Sequence, residues 1–170
     1  MPEAGSGTDR VPTVFRSVLA LALAVLVWFH GAEAAQYGTA VVTFNVQQIS
    51  EISFTGSPTL TINSAVAGQE PQPVTDNTAR YAISTNGSNM RITAQINKPT
   101  PPNTLLEIML AAPGSGTSAG YVPLSTTPAV VVSGIGPVAS GSRVVWYRFS
   151  ATTQAGVVSD SFTVTLTLSE

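Results

Sequence analysis

The apolar positions of this chain recur mostly at every second residue. In its last segment Phe162, Val164, Leu166 and Leu168 alternate with Ser161, Thr163, Thr165 and Thr167. Successive side chains of an extended strand point to opposite faces, so this segment predicts a strand with one apolar and one hydroxyl face. β-Branched threonine favours the same backbone. Val42, Phe44 and Val46 alternate with Thr43 and Asn45 in the same way, as do Ile92, Ala94 and Ile96 with Arg91, Thr93, Gln95 and Asn97. Further strands are predicted over 49–54, 60–63, 80–85, 105–110, 129–133 and 144–150, separated by Pro- and Gly-rich stretches such as 99–103, 113–120 and 134–141. Asn86-Gly87 predicts a tight hairpin between Tyr81 and Ala94, because Asn-Gly accepts the positive φ angles of such a turn. A second hairpin is predicted from Trp146 to Leu168, with its tip around Gln154-Ala155-Gly156. About eight to nine short strands at this spacing predict an all-β fold, a two-layer antiparallel β-sandwich of Ig-like or jelly-roll type. One such domain would occupy residues 35–170. Its core would draw on Phe44, Val46, Ile83, Ile92, Ile96, Ile108, Leu110, Val131, Tyr147, Phe149, Phe162, Val164, Leu166 and Leu168.

One segment breaks the period of two. Val18 to Phe29 is an unbroken apolar run, preceded by Arg10 and Arg16 and followed by Ala32-Glu33-Ala34. A basic start, an apolar middle and a small-residue end predict a secretory signal peptide over residues 1–34. At about 1.5 Å per residue the run would span roughly 18 Å, short of a hydrocarbon core of ~30 Å. A cleaved leader is therefore expected rather than an anchor. The product would be exported to the periplasm, the cell surface or the medium, with no membrane association afterwards.

Composition then narrows the chemistry. The chain has no cysteine, which excludes a disulfide scaffold and thiol catalysis, and its single histidine, His30, falls in the leader. Ser-His-Asp and Cys-His catalysis are thus excluded after residue 34, and zinc lacks its preferred ligands. Arg80, Arg91, Lys98, Arg143 and Arg148 nearly balance Glu51, Glu70, Asp76, Glu107, Asp160 and Glu170. Charge spread so thinly offers no basic stripe for nucleic acid and little electrostatic protection against self-association. Lys98 sits in a Pro-rich stretch and reads as solvated. Glu51 and Glu107, the pair weighed for glycoside hydrolysis, are bracketed by no motif. Glu70 and Asp76 are too sparse for calcium. Asn86-Gly87-Ser88 fits the glycosylation pattern, but the turn alone explains it. The Thr-x-Thr runs at 59–61 and 163–167 are too short for an ice-binding surface. The expectation is a protein without enzymatic activity, cofactor or metal.

Two features point to interaction. In Val144 to Phe149 alternation puts Val145, Tyr147 and Phe149 on one face and Val144, Trp146 and Arg148 on the other. The arginine marks that second face as the outer one: either Trp146 anchors a partner subunit or a sugar ring there, with Arg148 near enough to stack on it, or a loop or the N-terminal segment of the same domain covers it. The second feature is the pair of terminal strands, which can be exchanged between copies without breaking a connection. Neither carries a central Lys or Pro to guard its edge. The N-terminal strand, Thr39 to Gln47, is the expected donor. Thr39, Val41, Thr43, Asn45, Trp146 and Arg148 form the expected interaction surface.

The Val41 to Val46 strand, the Tyr81 to Ile96 stretch and the closing Ser161 to Leu168 strand together resemble bacterial secreted β-sandwich surface proteins. That broad Ig-like group includes fimbrial and biofilm-fibre subunits. The chain departs from their disulfide-bearing members in lacking cysteine. It also has no wall-sorting signal of the LPxTG type. The resemblance implies a structural surface or matrix subunit that self-associates, or docks on another surface protein, through sheet edges. The alternative is an extracellular module that binds a glycan or protein through Trp146 and the Pro- and Gly-rich loops.

Overall fold

The computed structural model describes residues 37–170; the predicted leader lies outside them. Ten strands follow in chain order: β1 (Ser50–Thr55), β2 (Val74–Asp76), β3 (Arg80–Thr85), β4 (Met90–Ile96), β5 (Thr104–Leu110), β6 (Thr117–Ser118), β7 (Val122–Pro123), β8 (Ala129–Ile135), β9 (Val138–Ala151) and β10 (Val164–Ser169). Among the described residues the one helical element is a 3-10 turn at Thr153–Ala155. The strands build two antiparallel sheets packed on each other, β1-β3-β9-β5-β7 with β2 beside β9, and β10-β4-β8-β6. The protein is therefore an all-β two-layer sandwich, as its alternating pattern predicts. Contacts divide the chain after Phe44, and the ten strands of the described residues lie in the Asn45–Glu170 unit.

Both predicted hairpins are corrected. β3 and β4 belong to different sheets, and so do β9 and β10; no two strands consecutive in sequence pair with each other. Asn86-Gly87 carries the chain from one layer to the other instead of reversing it within one. The positive φ falls on Asn89, at 56°. Gly87 leaves room for Met90, since a Cβ there would lie 2.8 Å from Met90 Sδ and push that side chain aside.

The fourteen-residue β9 is the backbone of the larger sheet. Its first half pairs with β3 and its second half with β5, with β2 beside Tyr147 to Phe149. Between Tyr81↔Arg143 and Ile83↔Ser140 it carries one extra residue, a bulge in which Ser142 has φ 54°. A bulge bends and twists its strand, which lets β9 serve successive partners along its length. Gly134, Gly136, Pro137 and Gly141 mask this extended run, so the sequence pattern predicts a turn over 134–141 where β8 ends and β9 begins. Residues 60–63 form no strand, although Leu60 packs against the core.

Alternation places Met90, Ile92, Ala94 and Ile96 of β4 opposite Leu106, Ile108 and Leu110 of β5 and Val145 and Tyr147 of β9, all buried. In β8 the consecutive Val131 and Val132 are both buried because the β4–β8 register shifts there. Ile83, Ile92, Ile96, Ile108, Leu110, Val131 and Tyr147 take the core positions expected of them, while Phe149, Phe162, Val164, Leu166 and Leu168 are only partly buried against it.

Candidate functional site

The sandwich is finished on one side and unfinished on the other. On the finished side a single short stretch serves both sheets. β6 pairs with β8 through Thr117↔Ser133, and a few residues later β7 pairs with β5 through Ile108↔Val122. Gly120, at φ 76°, lies between them. The buried Leu124 follows, its N–H donating to Leu106 O at 2.8 Å, and the carbonyl of Ser125 accepts from Ile96 N–H at 2.9 Å. This strap ties the two layers together.

On the other side, among the described residues, β1 pairs with β3 alone and β10 with β4 alone. Their ends meet, since Gln48 Nε2 donates to Glu170 Oε1 at 2.9 Å, yet no ladder joins the two strands. The inward side chains of β3 and β4, such as Ile83 and Ile92, are buried, whereas Ile52 and Phe54 of β1 and Val164, Leu166 and Leu168 of β10 stay partly exposed. An edge strand has a row of backbone N–H and C=O groups facing away from its only partner. Thr163, Thr165 and Thr167 are exposed on the outer face.

The expected first strand does not form. Residues 37–49 carry no strand, and Thr39, Val41, Thr43 and Asn45 are all exposed. Phe44 and Val46, expected in the core, are 87% and 73% exposed, and Val41 and Val42 are 96% and 82% exposed. The alternation is that of a strand, but among the described residues this segment has no ladder partner to complete one.

The root of that segment is held by Asn86. Its Oδ1 accepts from Ile49 N–H at 2.7 Å, and its Nδ2 donates to Gln47 O at 2.8 Å. The Asn86 N–H donates to Ile49 O at 3.3 Å, and Thr85 Oγ1 donates to the same carbonyl at 2.9 Å. One carboxamide thus takes the place of a peptide group beside residues 47–49 and prolongs the β1–β3 pairing by a step. Both its polar atoms are engaged, which gives Asn86 an occupation other than glycosylation.

The outer face of β9 carries Trp146 and Arg148, as alternation predicts, but the arginine has other partners than expected. Its Nε and Nη2 grip both carboxylate oxygens of Glu107 at 2.6 and 2.9 Å, and its guanidinium carbon lies 4.1 Å from the centre of the Tyr121 ring. Arg148 therefore stacks on Tyr121 rather than on Trp146, and the bond to Glu107 raises its pKa above the ordinary value. Trp146 is half-buried opposite Met109. Tyr121 was missed because it sits among turn residues, where no period reveals its direction.

The remaining candidates are occupied locally. Lys98 forms a close ion pair with Asp160 and lies 5.4 Å from the centre of the Phe162 ring. Glu70 accepts from Thr153 N–H at 2.6 Å, and Asp76 accepts from Thr78 N–H at 2.9 Å. Glu51 is exposed on β1, away from the Glu107–Arg148 pair. Compared with known proteins, the chain matches no family model, no curated protein and no solved structure.

Proposed function

We propose that this chain is an exported, non-enzymatic structural subunit that assembles through its sheet edges, with residues 39–47 of one copy adding as a strand beside β10 of the next. The observation that carries the reading is the coexistence of an exposed alternating segment and an incompletely covered apolar edge in one chain. Export rests on the leader pattern of residues 1–34. The absence of a reaction rests on a side-chain inventory without His or Cys after residue 34.

The dimensions agree. At about 3.3 Å per residue, the six residues of β10 span roughly 20 Å, the length of six residues of the donor. Ala40, Val42, Phe44 and Val46 then recur at the same interval as Val164, Leu166 and Leu168. Placed inward, they would cover the partly buried Ile52 and Phe54. Burying a Val or Phe side chain stabilises by about 1.5–3 kcal/mol, and each ladder hydrogen bond adds about 0.5–1.5 kcal/mol. Three such side chains and a short ladder are of the same order as the ~4–15 kcal/mol that association costs.

The test is deletion of residues 37–46 from the full-length chain. Multimers of the parent, read on a sizing column and in negative-stain micrographs, should give way to a folded monomer. Undiminished multimers in the deletion variant, or a parent that is monomeric throughout, would overturn the proposal.

A further inference from the structure

A strand donor joined to the domain that needs it has two acceptors available: the edge of another copy and its own. The choice matters, because the first builds a chain of subunits and the second closes a monomer. Tethering favours closure. A short flexible linker gives an effective concentration on the order of mM, so at micromolar protein the intramolecular route would win by roughly 10²-fold or more. Assembly therefore needs something that blocks self-completion.

We infer that Asn86 is that device: its carboxamide holds Gln47 to Ile49 extended, so that the donor cannot turn back along its own β10 edge. This rests on the assembly reading above. β1 begins at Ser50, with its start beside the end of β10, as the Gln48–Glu170 bond records. To lie beside the β10 of its own domain, the donor would have to reverse direction within residues 47–49. Those are the residues that Asn86 pins, through Ile49 N–H on one side of Gln48 and Gln47 O on the other. An amide bonded to an N–H and a C=O two residues apart fits an extended backbone, where both groups point the same way. Gln47-Gln48-Ile49 also offers neither Gly nor Asn for a tight turn. Thr85 adds a further bond to Ile49 O, which fixes the last residue before β1. Asn86 is thus a positioning residue, acting on the donor through Gln47 and Ile49.

The test compares two variants of the full-length chain with the parent. Asn86→Ala removes both side-chain bonds. A four-residue Gly-rich insertion between Gln47 and Gln48 leaves the Ile49 bond in place but frees the donor to reverse. Both should shift multimers to monomers by about tenfold or more at micromolar protein. In both, residues 39–47 should become resistant to limited proteolysis within the monomer. That protection separates self-completion from a mere loss of stability, which would leave the donor more accessible. Multimers at the parent level in the insertion variant, or monomers whose donor stays cleavable, would overturn the role of Asn86 while leaving the assembly reading standing. Loss of multimers failing to follow from deletion of residues 37–46 would overturn both. Should Asn86→Ala fail to fold, the insertion decides alone.

Discussion

β4 and β10 lie side by side in one sheet and read alike in sequence. Each alternates branched apolar residues with threonine or another polar residue, and each turns its apolar face to the same core. Ile92, Ala94 and Ile96 are nonetheless buried, whereas Val164, Leu166 and Leu168 are only partly so. The difference is neighbours. β4 stands between β10 and β8, while β10 has β4 on one side and, among the described residues, no ladder partner on the other. An alternating pattern states which face turns inward. Full burial also needs a strand on each side and a layer beneath. On the far side of the molecule the strap from Thr117 to Leu124 supplies that completion.

The sharpest way to break this comparison is truncation on both sides. Ile108 is fully buried on β5, between β9 and β7, so Ile108→Ala should destabilise the domain by about 2–5 kcal/mol. Leu166→Ala on the unfinished side starts from a side chain only partly buried and should cost a monomer less than about 2 kcal/mol. The order should reverse for assembly, where Leu166→Ala reduces multimers more than its effect on the monomer accounts for. Urea melts on the variant lacking residues 37–46 measure the first quantity, and sizing of the full-length chain the second. Equal destabilisation by the two substitutions would mean that β10 is as well covered as β5.

A smaller effect should appear at high pH, and it probes the interior rather than the edge. Burial pushes the Tyr81 phenol up to about 12, partly offset by the positive charge of Arg143. Tyr147 is raised by burial as well. Tyr81 also donates its hydroxyl hydrogen to Ala111 O just past β5. Because both folded values exceed the ordinary 10.0, these groups contribute stability that is intact below pH 10 and lost as pH rises towards 12. Tyr81→Phe should reduce that alkaline loss, while its missing hydroxyl lowers stability at neutral pH. Chemical melts at neutral and alkaline pH separate the two; an identical alkaline loss in the variant would remove Tyr81 as its source.

Most of the fold was legible because a period of two survives tertiary context. The 80–85 strand and the inward faces of β4, β5 and β9 follow directly from it. Pairing was not legible. Asn86-Gly87 carries the strongest local signal for a hairpin, yet the strands around it enter different layers, a choice made by partners far away in sequence. The edge was legible only in part. Val42, Phe44 and Val46 announce a strand, but their pattern is the same whether the partner is the chain itself or another copy. The grip of Asn86 on Gln47 and Ile49 spans nearly forty residues of sequence, and no motif marks it.

The smallest effect belongs to the unfinished side at acid pH. The hydrogen bond from Lys98 holds the Asp160 carboxyl below its usual range, helped by the N–H of Ser161. A depressed carboxylate contributes stability above its ordinary value of 3.8 and loses it as pH falls through the lowered one. The pair lies on the surface, where solvent and salt screen it, so its loss should barely move the melting temperature. Its place gives it another consequence. Asp160 lies just before β10, and Lys98 stands over the Phe162 ring, so the pair sits at the start of that strand, beside the Asn97–Thr163 bonds. Asp160→Asn should leave the melt nearly unchanged while hydrogen exchange quickens at Thr163 and Val164, at the beginning of the free edge, and not at Ile108. Faster exchange in β5 as well would show that the two sides of the sandwich open together rather than independently.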